Sequence, residues 1–198
     1  MLARDNPFRT ERIGGLAFRP RAESREALFA RLRAAGVRGA IVGPHGSGKT
    51  TLLRELAPQL ERAGHRVHHW FLNEELPRPS TRTLVREARA LGARDVLLFD
   101  GAGHLPALAW QRVVRSARAA GGLLITAHVP GRMPTLVETK TDAELLASLL
   151  DELLGPRARA LAPLAEGLRR TRAGNLREVF LDLYDLAAHD DPRLGHLV

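Results

Sequence analysis

The segment from residue 43 to residue 50 constrains the fold of this chain more than any other. It reads Gly-Pro-His-Gly-Ser-Gly-Lys-Thr and fits the Walker A pattern G-x-x-x-x-G-K-[ST]. Glycines in this pattern let successive backbone N–H groups turn inward around phosphate oxygens, where a side chain would block the approach. An apolar run precedes the segment at 37–42, and leucines recur at helical spacing after it. Strand, glycine-rich loop and helix in this order predict a phosphate-binding loop.

The side chains of this loop predict a bound nucleotide. We expect Lys49 to contact the β- and γ-phosphates as a point charge and Thr50 to offer its hydroxyl to Mg²⁺. The N-terminus of the following helix adds positive potential at the same place. The predicted nucleotide-binding residues are Gly43, Pro44, His45, Gly46, Ser47, Gly48, Lys49, Thr50 and Thr51.

Length and composition limit the remaining classes of protein. A chain of 198 residues with 44% apolar content suits one domain, or one domain with a small appendage. No apolar run is long enough for a membrane span, and residues 1–10 lack the apolar centre of a signal peptide. We therefore expect a cytoplasmic protein with no membrane partner. The absence of cysteine excludes disulfides, cysteine zinc sites and thiol catalysis.

The charge of the chain leaves two interpretations open. The formal net charge is +8, and 28 of the 30 basic residues are arginines. A basic surface attracts phosphate backbones, which makes a nucleic acid one candidate partner. The arginines are spread along the chain, however, and aromatic residues for base stacking amount to 5%. A solvated arginine-rich surface is the other interpretation.

Periodicity elsewhere predicts helices and strands in alternation, as in a sheet covered by helices. The N-terminal residues 1–22 are typical of an extended arm. The link between the last two predicted strands is short for a parallel crossover, so the fifth is either an edge strand or coil. Strands are predicted at 37–42, 67–72, 96–100, 123–126 and 136–139, and helices at 25–35, after residue 50, and at 81–91, 110–120, 143–154, 157–170 and 176–188.

A second motif candidate lies some 50 residues after the loop. The segment Val96-Leu97-Leu98-Phe99-Asp100 has four apolar residues and a carboxylate, a pattern typical of a buried parallel strand that ends at a ligand-binding edge. Asp100 is therefore the predicted Walker B residue, holding the metal together with Thr50. Thr126 and His128 end the next predicted strand, where a polar side chain can contact a γ-phosphate.

Three landmarks together resemble the AAA+ ATPases, particularly the branch related to origin-recognition and transposition-helper ATPases. They are the loop at 43–50, the strand at 96–100 and the tetrapeptide Gly174-Asn175-Leu176-Arg177. The resemblance implies ATP or ADP as ligand, Arg177 as the sensor-2 arginine and Thr126 near the sensor-1 position. It also implies a nucleotide-binding core at 1–140, a helical lid at 141–198, and a protein partner or a homo-oligomer.

The chain departs from this family directly after Asp100. Family members usually place a glutamate there to activate water, whereas this chain has Gly101. The Asp-Gly pair is also similar to the Asp-Gly-x-Asp-Glu signature of the STAND NTPases, although Gly103 and His104 occupy its acidic positions. Side chains that can replace the missing base are Glu74, Glu75 and His104. The resemblance also makes Arg132 a candidate arginine finger.

These observations predict a three-layer α/β P-loop NTPase with a mostly parallel sheet of about five strands and a small C-terminal helical lid. The predicted function is ATP binding with slow or partner-stimulated hydrolysis, in a switching or assembly role. One alternative is an interaction module that binds the nucleotide without hydrolysing it. The other is a small-molecule kinase, because kinases share the loop and use an acceptor hydroxyl as nucleophile.

Overall fold

The structure is a computed structural model that describes residues 3–20, 23–73 and 79–197. Contacts divide the chain into two compact units. The core unit contains Pro20–Gly43 and Lys49–Thr139. The helical unit contains Met1–Arg19, Pro44–Gly48 and Lys140–Val198. The expected boundary near residue 140 stays a prediction; the first 19 residues, assigned above to the core, have their contacts with the C-terminal helices.

Helices and strands follow the expected order. The strands are β1 Arg38–Val42, β2 Arg66–Phe71, β3 Asp95–Asp100, β4 Gly122–Ala127 and β5 Thr135–Glu138. The helices are α1 Thr10–Gly14, α2 Arg25–Ala34, α3 Lys49–Arg62, α4 Thr81–Ala90, α5 Ala107–Ser116, α6 Ala143–Leu154, α7 Ala158–Thr171 and α8 Leu176–Ala188. No helix in the described part of the chain is both long and apolar enough to cross a membrane.

The core unit is a parallel sheet in the strand order β2-β3-β4-β1-β5. Every residue of β4 is buried, and so is every residue of β3 except Asp100 at its end. Strands buried on both faces consist of continuous apolar runs, because neither face can alternate with polar residues. The predicted α/β class and the five-stranded sheet are confirmed.

Helices cover both faces of this sheet. Side chains alternate along each strand, so neighbouring residues of β3 face opposite layers. One layer consists of α4 and α5, whose buried residues form a cluster with Leu97, Phe99, Leu123 and Ile125 of the sheet. α3 contacts β2, β3 and β4, and its buried leucines lie outside that cluster. The three-layer arrangement follows from these two sets of contacts.

The structure resolves the open question of the fifth strand. β5 pairs in parallel with β1, and the link 128–134 that precedes it has seven residues. Ala40 of β1 lies opposite Ile125 on one side and opposite Thr135 on the other. β5 therefore starts level with the second half of β4, and its link crosses β1 near one end of the sheet. The link therefore does not have to run back along the whole length of the sheet, which would need a dozen or more residues.

The helical unit has a core of its own, built from α6, α7, α8 and the N-terminal arm. The arm contains α1 rather than being extended throughout, and it buries Phe8 and Leu16 among the leucines of these helices. Asn6 is 1% exposed: its Nδ2 donates to the Tyr184 carbonyl at 3.0 Å, and its Oδ1 accepts from the Phe8 N–H at 2.9 Å. The apolar residues of the arm are therefore explained by their packing against distant helices, and not by the helical or strand periodicity of the arm itself.

Asp95 is a buried carboxylate at the start of β3. Its oxygens accept from the Gly92 N–H at 2.7 Å and from Arg66 at 2.9 Å, and His68 Nε2 lies 2.9 Å away. These contacts, with the Gly92 N–H first, lower the pKa of Asp95 to about 2. Because the carboxylate is satisfied only when ionised, it stabilises the fold above the pKa of about 4 expected in the unfolded chain.

We expect Asp95→Asn to lower the melting temperature at pH 7 by a few degrees, because the charge that organises these contacts is lost. As the pH falls from about 4 towards 2, the wild-type carboxylate takes up its proton and the difference between the two proteins shrinks. Thermal melts at several pH values measure this effect. Asp151→Asn, on an exposed residue of α6, is the matched control. A gap that is constant with pH would contradict the proposed ionisation.

Candidate phosphate-binding site

The predicted phosphate loop at 43–50 follows β1 and leads into α3. Gly46 and Gly48 have φ angles of 70° and 84°, in the left-handed region that L-residues with a side chain seldom adopt. The buried Ser47 hydroxyl donates to the Pro44 carbonyl at 2.8 Å and closes a turn within the loop. The expected order of strand, loop and helix is confirmed, and the two glycines stand where the backbone requires them.

Lys49 begins α3 and is 8% exposed. Its Nζ donates to the Gly43 carbonyl at 2.8 Å. Burial lowers the pKa of Lys49 to about 8, an effect that the negative charge of Asp100 opposes. A buried ammonium group favours an added anion, because phosphate oxygens replace the solvation that burial removes. Thr51, the last of the predicted nucleotide-binding residues, is half-buried on α3.

The structure brings three predicted site residues of the core unit into direct contact. Thr50 Oγ1 donates to Asp100 Oδ2 at 2.7 Å, and Thr126 Oγ1 donates to Asp100 Oδ1 at 2.5 Å. Thr126 Oγ1 also accepts from the Gly101 N–H at 2.8 Å. Thr126 is only 2% exposed, so it holds the Asp100 carboxylate in place rather than lying open at a strand tip. The hydrogen bond between Thr126 and Asp100 was not predicted.

The donor set of Thr50 and Asp100 fits Mg²⁺. A hydroxyl and a carboxylate are hard oxygen ligands, and Mg²⁺ is commonly held by one or two carboxylates together with substrate phosphates and water. Among the described residues there is no group of three or more His, Asp or Glu side chains arranged to hold a metal. The two side chains therefore fit a cation that is bound jointly with a nucleotide.

The backbone around Gly101 leaves no room for a glutamate side chain at this position. Its φ is 81°, and a Cβ at this position would lie 1.9 Å from the Leu72 carbonyl oxygen. The backbone approaches this closely because β2 and β3 are paired up to Phe71 and Asp100. Any side chain at residue 101 therefore requires the backbone to move.

Of the three residues predicted as candidates for the general base, His104 is the one that lies within the described part of the chain. It lies in the turn after β3, is half-buried, and approaches to 3.2 Å from the position of a Cβ on Gly101. Its ring contacts that of His128 edge-on, with 6.2 Å between centroids. Glu74 and Glu75 lie outside the described residues.

Within the helical unit, the loop residues contact the start of α8 and the N-terminal arm. A Cβ on Gly46 would lie 2.2 Å from Asn175 Oδ1 and 2.6 Å from the Leu176 nitrogen. A Cβ on Gly48 would lie 3.2 Å from Phe18 Cδ2. The contact of Phe18 with the loop was not predicted. The one indication in the sequence is that Phe18 is an isolated aromatic residue in a polar segment. Arg177, the predicted sensor residue, is exposed in the first turn of α8.

Arg132 is engaged within its own unit. Its Nη2 donates to the carbonyls of Gly103 at 3.0 Å and Leu105 at 2.6 Å, and its guanidinium carbon lies 5.7 Å from the ring centroid of Trp110. Burial lowers its pKa. These contacts hold the link after β4 against the turn after β3. The assignment of Arg132 as an arginine finger stays a prediction.

The sheet and loop define the P-loop NTPase fold class. Solved structures of RuvB from Thermotoga maritima, the Holliday junction branch migration motor, are similar to this chain at 15% identity. The motor structure and one mutant form each have a TM-score of 0.47 and cover 82% of this chain and 67% of their own. A second mutant form has a TM-score of 0.46 and covers 82% of this chain and 69% of its own. No protein-family model and no curated protein sequence matches the chain.

We expect Gly101→Ala to lower the free energy of unfolding by about 2 kcal/mol or more, because a Cβ combines left-handed strain with overlap on Leu72. Gly103→Ala is the control, since a Cβ there meets no atom within 4 Å. Denaturant titration of both variants measures the difference. Equal stability of the two would show that the turn adapts at no cost.

Proposed function

We propose that this chain binds ATP with Mg²⁺ as an AAA+-like P-loop ATPase and hydrolyses it slowly or under the control of a partner. The observation that carries this proposal is the hydrogen bond from Thr50 to Asp100 beside the buried Lys49. A phosphate loop and an acidic strand end separated by 50 residues meet at one place, which supports their assignment as Walker A and Walker B.

Each residue has a distinct task in this proposal. Lys49 attracts the β- and γ-phosphates, and the loop N–H groups orient them. Thr50 and Asp100 hold Mg²⁺, which when bound neutralises negative charge on the phosphates. Thr126 fixes the orientation of the half-buried Asp100 carboxylate through its 2.5 Å hydrogen bond, so the carboxylate keeps one geometry.

The geometry at Gly101 makes slow turnover the expected behaviour. A general base contributes about 10²- to 10⁴-fold to a rate, and no carboxylate can follow Asp100 in this backbone conformation. We assign the role of base to His104, which neighbours Gly101 and carries the type of side chain that most often serves as a general base. The same geometry favours the second candidate function, an interaction module that binds ATP without hydrolysing it.

The helical unit supports a switching or assembly role. Its members include loop residues Pro44–Gly48, and Gly46 packs against Asn175 at the start of α8. A phosphate bound by the loop N–H groups would therefore act on the same backbone that α8 contacts. We assign Arg177 as the residue that reports nucleotide state, and a protein partner or a second copy of this chain as the receiver of that state.

We expect Lys49→Ala to abolish the increase in melting temperature that ATP and Mg²⁺ give the wild-type protein. Ligand binding to the native state stabilises it by RT ln(1 + [L]/Kd), about 2.7 kcal/mol when ATP is at 100 times Kd. Thermal shift with ATP, with ADP and without nucleotide measures the effect. The control is Lys140→Ala, which removes the chain's other lysine from an exposed position. An unchanged shift in Lys49→Ala would refute the site.

We expect His104→Ala to lower ATP turnover by at least about 100-fold, the lower end of what a general base contributes, while nucleotide affinity stays within a factor of about two. Phosphate release with protein alone and with partner-containing lysate fractions measures turnover. His69→Ala, on an exposed residue of edge strand β2, is the control. Turnover that is insensitive to His104 would contradict its role, and binding without any turnover would favour the interaction module.

A further inference from the structure

Six arginines lie on the surface of two neighbouring helices of the core unit and of the 3₁₀ turn that follows the second helix. α4 packs against α5 and against the 3₁₀ turn Ala117–Ala119 that follows it. Against these six cations the three elements contain one acidic residue, Glu87. The arginines, all exposed, are Arg82, Arg86, Arg89, Arg112, Arg115 and Arg118. We call this surface the arginine face.

The spacing of these arginines places them in two adjacent rows. Arg82, Arg86 and Arg89 follow i, i+4, i+7 spacing along α4, which keeps them on one side of the helix. The opposite side carries Leu84 and Ala88, which are buried in the cluster shared with the sheet. At 1.5 Å per residue the row is about 10 Å long, and packed helices lie about 8–10 Å apart. The second row, on α5 and the turn, has similar dimensions.

No described carboxylate pairs with any of these six arginines, whereas arginines elsewhere in the chain do have such partners. Arg172 pairs with Asp182 at 2.6 Å, and Arg169 and Arg170 both bind Glu166. Like charges at i, i+4 spacing on a helix destabilise it, so the arginine face carries a repulsion that no ion pair among the described residues relieves. An external anion with several charges would relieve it.

We propose that the arginine face binds the phosphate backbone of a nucleic acid. Duplex DNA carries one charge per about 1.7 Å of its axis, so a surface about 10 Å across meets several phosphates. Arginine suits this contact because its planar fork can donate two parallel hydrogen bonds to one phosphate. Trp110, the aromatic residue of these elements, is 7% exposed and contributes no base stacking. The contact is therefore with the backbone and independent of sequence.

The composition between the arginines favours a nucleic acid over other acidic partners. A protein interface has a largely apolar centre, and a helix that lies on a membrane presents large apolar side chains beside its cations. Exposed positions among the arginines are occupied by Glu87, Ala90, Gln111 and Ala119. Leu108, 72% exposed, lies at the start of α5 and is a single apolar residue rather than a patch.

Fluorescence anisotropy with a labelled random-sequence DNA duplex, without nucleotide, tests the proposal on the full chain. We expect wild-type protein to bind at 50 mM salt and to lose affinity steeply towards 200 mM. In the triple variant Arg86→Gln, Arg112→Gln, Arg115→Gln, the slope of log affinity against log salt should fall by about 2.7, since each phosphate contact contributes about 0.9. The corresponding lysine triple should keep most of the slope, because the charge is retained.

A matched triple variant removes the same charge from other exposed positions: Arg54→Gln and Arg62→Gln on α3, with Arg159→Gln on α7. We expect its slope to stay close to that of the wild type. Equal loss in both glutamine triples would overturn the proposal in favour of diffuse net charge. It would also be overturned by no wild-type binding at 50 mM salt, or by displacement of the DNA by equimolar polyglutamate or phosphatidylserine vesicles. Because nucleotide is absent, none of these outcomes depends on the proposed ATPase activity.

Discussion

The carboxylate of Asp100 is the group on which the arrangement of the core unit's candidate site depends. It ends β3, accepts a hydrogen bond from the Thr126 hydroxyl near the end of β4, and accepts another from the Thr50 hydroxyl in the first turn of α3. Asp100 is half-buried, and its carboxylate needs hydrogen-bond partners because removing a polar group from water without them is costly. The same bonds hold two strands and a helix in register, so the group that suits a cation also aligns the elements around it.

Much of the fold was accessible from the sequence because its signals are local. Apolar runs, caps and the phosphate loop each depend on residues close together in the chain. Ser24 and Asp142, for example, each stand directly before a helix and accept a hydrogen bond from an N–H three residues further on. The arm and β5 were harder, since both depend on distant contacts. Phe8 is buried by helices more than 130 residues away in sequence, and the short link before β5 is explained only by its register with β1.

The residues of the site also fall into those that a local motif identifies and those that depend on contacts between distant segments. Lys49, Thr50 and Asp100 were predictable because a motif with a chemical reason identifies them. The bond between Thr126 and Asp100, and the approach of Phe18 to Gly48, depend on which segments become neighbours. The arginines show this most clearly. Along the chain they are spread evenly, but helical spacing and the packing of α4 against α5 collect six of them on one surface.

The turn at Gly101 has a consequence for how this sequence can change over time. Every glycine codon becomes an aspartate or glutamate codon by one base change, so an acidic residue at position 101 is one mutation away. The Leu72 carbonyl, 1.9 Å from the place of a new Cβ, makes that single step costly to the folded protein. A carboxylate could be acquired here only after, or together with, a change that moves the end of β2. The backbone of β2 thus restricts which residue can follow Asp100, whatever that residue would contribute to catalysis.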